Sequence, residues 1–352
     1  MNIGEIAKRA KVSTATVSRT LNQSGPVKAA TARKVWRAVT ALNYYPNSHA
    51  RTLVSGRSRL IGLIVSDITN PFFPELIRAF EGLAAQKQYD LLMTSTDYDT
   101  SRMTACLRRM LERKVDGVAM MTSEMDAGLI KELARRNLPI VFMDVGQVGP
   151  RMSHVSIDYG HGVRQGVDHV IGLGHKHIAF ITGPLELHSA RTRRQAFVDG
   201  LREHGLALDP KMIREGMHTA EGGEKAMKEL LKLSRIPTAV VCSNDWTAIG
   251  ALHAVQAAGL RVPEDLSLVG FDDIPMSSFI SPSLTTVRMS ARDVGSTAFQ
   301  ALFNLIGEEH VEGDVYQIPT KLVVRESTAK PRKRKAGGLG SPEGLRYTLR
   351  HL

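Results

Sequence analysis

The sequence predicts a small all-α head followed by an α/β body of two doubly wound halves. Three observations carry that reading. Residues 4–22 show helical apolar spacing broken by one tight turn. From Leu60 onward, short apolar runs alternate with amphipathic helices, the mark of parallel sheets covered on both faces. Charge divides at the same boundary: residues 1–59 hold eleven basic side chains and one acidic, Glu5, whereas residues 60–329 hold 28 basic and 33 acidic. A chain of 352 residues, 43% of them hydrophobic, is expected to form more than one domain with sizeable cores.

In the head, a first helix is expected over 3–10, with Ile3, Ile6, Ala7 and Ala10 on one apolar stripe. Val12 returns the chain toward the core. Ser13 suits the N-cap of a second helix, because its hydroxyl can accept an orphan backbone N–H. On that helix Val17, Thr20 and Leu21 share the inner face, and Ala15, Ser18 and Arg19 the outer one. Two short helices about a tight turn, the second with a small, hydroxyl-rich, basic outer face, form the layout of a helix-turn-helix DNA reader. Thr14, Ala15 and Arg19 are assigned to base edges: Arg19 can bond a guanine bidentately and Ala15 can touch a thymine methyl. Ser13, Thr16 and Ser18 are short donors for phosphate oxygens. An ordinary amphipathic helix pair with a solvated face shares this pattern, so the neighbouring sequence has to discriminate.

That neighbouring sequence continues the module. Thr31 can cap a third helix reaching about Leu42, with Val35, Trp36, Val39 and Leu42 inward. Pro46 cannot continue a helix and Asn47 can cap a new one. Residues 48–56 are then a short helix candidate with little to bury, marginal on its own in water.

With residues 12–19 (Val-Ser-Thr-Ala-Thr-Val-Ser-Arg), 42–47 (Leu-Asn-Tyr-Tyr-Pro-Asn) and 50–53 (Ala-Arg-Thr-Leu) in view, the chain strongly resembles the lactose-repressor (LacI/GalR) family of bacterial transcription regulators. The resemblance implies a helix-turn-helix domain over 1–46 and a hinge helix and linker over 47–59 that orders on operator DNA. Asn47, Ala50 and Leu53 then lie at the DNA, and Leu53 of each subunit wedges into the minor groove. An apolar wedge there unstacks a base step and kinks the duplex. For residues 60–328 it implies a periplasmic-binding-protein-like, two-lobed domain for effector binding and dimerisation. Its crossovers fall near 158–160, 286–290 and 318–320, giving one lobe of about 60–158 and 290–318 and another of about 160–286 and 320–328.

The elements of the body follow in order. Strands are expected at 60–66, 90–94, 115–121 and 139–144, with helices at 74–88, 101–114 and 127–137 between them. A second series has helices at 160–173, 190–204, 221–233 and 248–258 around strands at 178–182, 238–243 and 266–271. In open sheets of this kind ligands bind beyond the carboxyl ends of the strands, and two facing halves form a cleft that a hinge can open or close. The strand ends gather Asp67, Phe72, Phe73, Asp144, Arg191, Arg193, Asn244, Asp245, Asp272 and Asp273. A sugar offers an apolar ring face to aromatics and hydroxyls to carboxylates, amides and guanidinium groups, and this set suits it.

The resemblance to sugar-responsive members maps effector contacts onto Phe72, Phe73, Asp144, Arg193, Asn244 and Asp272. Plainer roles stand beside these: Asn244 or, in preference, Asp245 as a helix cap, Asp67 and Asp273 as turn or solvated residues, Arg191 paired with a cleft carboxylate, and one of the two phenylalanines as simple core. Val145 is apolar where some relatives carry arginine or tryptophan, which leaves the effector's identity open.

Composition excludes several classes. A basic head on an acidic body is the footprint of a phosphate-binding module, and its DNA affinity is expected to fall steeply with salt. Residues 330–352 add seven basic side chains and one acidic and read, from 329 on, as a disordered tail. Cys106 and Cys242 make no disulfide framework. No apolar signal segment and no run of about 20 apolar residues is present, so a cytoplasmic, membrane-free location is expected. His175-Lys176-His177 lacks a companion ligand cluster and reads as surface rather than metal site. No phosphate-cradling glycine motif occurs and no nucleophile–base pair stands out. No enzyme, cofactor or metal is therefore expected.

The expected function is a transcription regulator, most often a repressor in this family, whose affinity for a pseudo-palindromic operator is set by a small, most plausibly carbohydrate, effector. A homodimer would place two recognition helices in successive major grooves. The absence of a C-terminal leucine heptad favours a dimer over a tetramer. The alternatives are a solute-binding protein, which the basic head opposes, and a regulator answering to a nucleobase or a protein co-regulator.

Overall fold

The computed structural model describes residues 2–22, 25–44, 57–122, 128, 132, 135–144, 148–307 and 311–332. Its contacts divide the chain into two compact units, residues 1–58 and 59–352.

The first unit holds helices Ile3–Ala10, Thr14–Asn22 and Ala29–Ala41. Asn2 caps the first by accepting the N–H groups of Gly4 and Glu5, and Lys11, in the left-handed region at φ 54°, ends it. Ser13 Oγ accepts the Thr16 N–H at 3.2 Å and so starts the second. The core is Ile6, Val17 and Val35, all fully buried, with Ala7, Ala10, Ala38 and Val39 around them. Two expectations need correction. The third helix begins at Ala29, after Lys28, which gives no side-chain cap, so Thr31 lies inside it. Trp36 does not face inward but is 46% exposed. Val35, Ala38 and Val39 form the inner stripe at i, i+3 and i+4, and Trp36 sits one position off it.

In the second unit the strands are β1 (Leu60–Val65), β2 (Asp90–Ser95), β3 (Val118–Met121), β4 (Ile140–Met143), β5 (Met152–Ile157), β6 (Ile178–Thr182), β7 (Ile213–Glu215), β8 (Ala239–Cys242), β9 (Ser267–Asp272), β10 (Thr285–Arg288), β11 (Val315–Ile318) and β12 (Lys321–Val323). They build two six-stranded sheets, ordered β11-β5-β4-β3-β1-β2 and β12-β10-β9-β8-β6-β7. Every pairing is parallel except β12 against β10. The chain changes sheet three times: between Ile157 and Ile178, between Arg288 and Val315, and between Ile318 and Lys321. The expected two-lobed, doubly wound architecture is thus the one observed.

Helices cover both sheets. Phe80 of the helix Phe72–Gln86 meets Phe299 of the helix Ala291–Gly307 edge to face at 5.5 Å. In the other lobe Phe180 stacks on Phe197 at 4.9 Å. Such fully buried rings each contribute roughly 1.5–3 kcal/mol by leaving water. The helices Ala220–Leu231 and Asp245–Ala257 cross so closely that a Cβ on Gly223 or Gly250 would collide with the backbone of Thr247 or Ala220.

The expected helix over 127–137 falls mostly outside the described residues. Strands β5, β7, β10, β11 and β12 and the helix Ala291–Gly307 were not read from periodicity. β5 interrupts its apolar run with Ser153, His154 and Ser156, and β7 has only three residues.

Two surface readings also change. His175 is buried, bonding Thr238 Oγ1 at 2.9 Å and the Ala329 carbonyl at 2.8 Å with its two ring nitrogens. The described chain continues past 328 as a strap, where Ala329 exchanges bonds with Ser267 and Arg332 reaches Asp265 at 2.9 Å. The strap explains the histidine: its ring ties the segment's end to the sheet.

Candidate functional site

On the head, Thr14, Ala15 and Arg19 are exposed on one face of the helix Thr14–Asn22, opposite the buried Val17 and Thr20. Ser13 and Thr16 share a hydroxyl–hydroxyl bond of 2.9 Å, and Ser18 Oγ accepts from Asn22 Nδ2 at 3.2 Å. The hydroxyls assigned to phosphate are therefore already ordered by their own helix, while the guanidinium of Arg19 is presented to solvent. Asn47, Ala50 and Leu53 lie outside the described residues.

In the body, the carboxyl ends of the strands face each other across a cleft. Phe72, Phe73, Asp144, Arg193, Asn244 and Asp272 all line it, so the six residues named from the sequence meet in one place. Arg193 is its centre. It is 5% exposed, packs its guanidinium on the neighbouring rings of Tyr159 and Phe271, 4.3 and 4.4 Å from their centroids, and donates to the Ser243 carbonyl at 2.7 Å. Its Nη2 stands 3.9 Å from Asp272 Oδ1, an ion pair but too long for a hydrogen bond. Its Nε is buried and has no partner among the described residues. Burial pushes the Asp272 carboxyl well above the usual carboxylate range; the Arg193 charge opposes that shift and Asp245 adds to it.

Asp144, at φ 64°, accepts the Tyr159 hydroxyl at 2.6 Å. Burial, and then the Asp144 charge, hold that phenol well above its ordinary value. Phe72 and Phe73 are both buried and meet edge to face at 5.4 Å. The space left in the cleft is about 50 Å³, under twice the ~30 Å³ share of one water molecule in the liquid.

Several neighbours have structural roles. Asn244, not Asp245, caps the helix Asp245–Ala257: its Oδ1 accepts the Thr247 N–H at 2.9 Å, and its Nδ2 donates to the His218 carbonyl at 3.3 Å. Asp245 is fully buried. It accepts from the Ile274 N–H at 2.9 Å, the Ser277 hydroxyl at 2.7 Å and the Thr286 hydroxyl, and burial pushes its pKa up to about 7. Asp67 closes a turn, as expected, accepting both the N–H and the hydroxyl of Thr69. Asp273 is not solvated; Arg288 and Arg325 each donate to it at 2.6 Å. Arg191 does not pair with a cleft carboxylate but bonds the carbonyls of Leu185 and Glu186 at 2.8 and 2.6 Å.

Residues 2–47 match the bacterial regulatory proteins of the lacI family, and residues 167–328 match the periplasmic binding protein-like domain. The HTH-type transcriptional repressor PurR of Aliivibrio salmonicida is 35% identical over 93% of this chain and 99% of its own length. This chain belongs to the lacI family. Catabolite control protein A of Priestia megaterium is 33% identical over 93% of this chain and 99% of its own. The Lac repressor dimer bound to operator and the anti-inducer ONPF superposes with a TM-score of 0.82 at 31% identity, covering 94% of this chain and 99% of that one. A complex of the transcriptional regulator CelR with cellobiose gives a TM-score of 0.68 at 28% identity, covering 93% and 99%. As a family member, the chain is a DNA-binding transcription regulator and not an enzyme. Among the described residues no helix is long and apolar enough to cross a membrane, and no cluster of His, Cys, Asp and Glu is placed to hold a metal.

Among the cleft residues, Tyr159 and His218 carry chemistry that the sequence does not mark. Tyr159 follows β5 and His218 follows β7, two strands without a continuous apolar run. His218 is buried at φ 58°, bonds Ser243 Oγ through Nδ1 at 3.2 Å, and packs so tightly on Gly183 that no Cβ fits there. Burial, and then the Arg193 charge, lower its pKa to about 3. It is a neutral imidazole in the cleft wall. The consecutive left-handed pair Met217-His218 is invisible in composition.

Proposed function

We propose that this chain is a homodimeric transcription repressor whose operator affinity is set by a small polyhydroxylated effector, a sugar or sugar derivative, bound between the lobes. One observation carries the effector reading. Arg193 Nε is buried without a partner among the described residues, and Arg193 Nη2 stands 3.9 Å from the buried Asp272 carboxylate, too far for a hydrogen bond. Buried polar groups without partners are costly. A ligand with adjacent donors and acceptors, as on neighbouring ring hydroxyls, would satisfy both while Phe72 and Phe73 cover its apolar face. The relatives include a regulator in complex with cellobiose, which agrees with this class.

On the DNA side, the proposed readers are Thr14, Ala15 and Arg19, with Ser13, Thr16 and Ser18 at phosphates and Asn47, Ala50 and Leu53 in the hinge. Closure or opening of the lobes would shift the hinge segments of the two subunits. A coupling of about 1–3 kcal/mol changes operator affinity roughly 5–150-fold. The test is a thermal-shift screen of sugars, sugar alcohols, sugar acids and nucleobases, with each hit retested in an operator-binding assay. Asp272→Ala is expected to abolish both the shift and the response while operator binding persists. A nucleobase hit with no sugar hit would overturn the carbohydrate assignment. Leu53→Ala is expected to weaken specific binding, and unchanged affinity would remove the wedge.

A further inference from the structure

The body is acidic as a whole, with 28 basic against 33 acidic side chains over residues 60–329, yet one end of it carries the opposite charge. The carboxyl ends of both sheets face the cleft, so the amino ends of their strands point away from it, one set at each end of the body. The chain enters at Arg59, just before β1 on the first sheet. The strap lies at the other end, where β6, β8 and β9 begin. Ala329 exchanges bonds of 3.0 and 3.1 Å with Ser267, and its carbonyl bonds the His175 ring at 2.8 Å. Ser267 in turn donates its N–H to the Thr238 carbonyl at 2.9 Å. Among the described residues, the segments gathered there, 174–177, 232–238, 259–266 and 329–332, expose six cations: Lys176, Lys232, Arg235, Arg261, Lys330 and Arg332. They hold two carboxylates, Glu264 and Asp265. Asp265 is already paired with Arg261 at 3.0 Å and Arg332 at 2.9 Å.

We propose that this end of the second lobe, with the basic run that follows it, binds the phosphate backbone of a duplex DNA segment other than the operator. Arg332 is followed directly by Lys333, Arg334 and Lys335. The strap is fixed to Ser267 and Asp265, so those three residues lie within about 11 Å of extended chain from Arg332. Their charge therefore adds to the same end. Such an excess of cations over carboxylates forms a field that attracts a polyanion. Exposed Lys and Arg head groups on loops suit phosphate oxygens, which position a duplex without reading its bases. Duplex DNA is the polyanion at hand, because a lacI-family head already keeps the chain on DNA. A weak second contact then works at the raised local concentration that tethering gives. Arg59, where the head is joined, is at the opposite end of the body, so this contact serves a separate segment. Neither the cleft nor its effector enters the inference.

The test is co-capture. One duplex of random sequence is held on beads, and a second, fluorescent duplex is offered with the full-length protein at low salt. The protein is expected to hold the two together and to release the second as salt rises. At equal protein loading on the beads, the double variant Lys176→Glu/Arg235→Glu should lower the captured fluorescence at least about fivefold. Its Tm should be unchanged, because both side chains are exposed. The triple variant Lys333→Ala/Arg334→Ala/Lys335→Ala should make the fall of log affinity with log salt shallower by about 3, near 0.9 for each lost phosphate contact. No capture of the second duplex by the full chain overturns the inference. Capture that survives Lys176→Glu/Arg235→Glu assigns the bridge to the heads and overturns it too. An unchanged salt slope in the triple variant overturns the part given to residues 333–335. Preference of the same groups for phosphatidylglycerol vesicles over the second duplex would make this end a membrane-binding face and overturn the DNA assignment.

Discussion

The head and the cleft handle polar side chains in opposite ways. On the helix Thr14–Asn22 the hydroxyls are tied to partners three or four residues away, and Arg19 stands in water. In the cleft the bonds that hold the central side chains join separate segments: Arg193 to Ser243, Tyr159 to Asp144, Asn244 to His218. Its key groups are out of water and only half satisfied. A solvated reading surface loses little when it is unoccupied, and its affinity comes from counterion release and base contacts. A desolvated cleft holds polar groups that gain partners only when something binds or the lobes move. The first arrangement suits a constant output surface, and the second suits a switch.

The largest effect is expected at the centre of the cleft. Arg193→Ala leaves Asp272 buried without its cation and strips the guanidinium from the rings of Tyr159 and Phe271. A loss of about 3–5 kcal/mol, read as a lower Tm, should accompany complete loss of the effector response. A retained response would place the effector elsewhere. Next comes Arg19→Ala, which should weaken specific operator binding by roughly 5–150-fold, the equivalent of about 1–3 kcal/mol, with effector-induced thermal shifts unchanged. Loss of both would break the separation of the two regions.

Asp273→Asn tests the ion-pair lock beside the cleft. It removes the charge that Arg288 and Arg325 share, and a stability loss of about 1–2 kcal/mol is expected in denaturant titration, modest because Arg288 is half exposed.

The smallest effect is a pH dependence. His218 titrates near 3 in the folded chain and near 6.5 when unfolded, so on acidification the unfolded state takes up the proton first. Its contribution is whole above pH 6.5 and is lost as pH falls toward 3. His218→Asn, which tolerates the left-handed backbone, should therefore reduce the fall in Tm between pH 6.5 and 4.5. An unchanged slope would mean that His218 is not held neutral by its surroundings.

How much could be read in advance depended on how local each signal was. The inner stripe of the head follows from helical spacing, except at Trp36, where one position of helical phase separates core from surface. The strands β1, β6 and β8 announce themselves because both faces are buried and their residues are uniformly apolar. β5 and β7 do not, and with them went Tyr159 and His218. The choice of cap between Asn244 and Asp245 was undecidable for a similar reason: either type can cap a helix, and only the position of Ser277 and Thr286 makes Asp245 the buried hub and leaves the cap to Asn244.

The sequence by itself determined the boundary between a basic all-α module and an acidic α/β body, the exposed face of the second helix, and a wider set of polar and aromatic residues at the strand ends, from which the family resemblance picked out six. The boundary, the face and the wider set rest on periodicity, charge and strand polarity, which act over a few residues. Tertiary structure alone decided that Arg193 packs on two rings with an unpartnered nitrogen and that Asp273 is locked by two arginines. Those facts depend on distances between segments from 15 to nearly 80 residues apart, and no local propensity sets such distances.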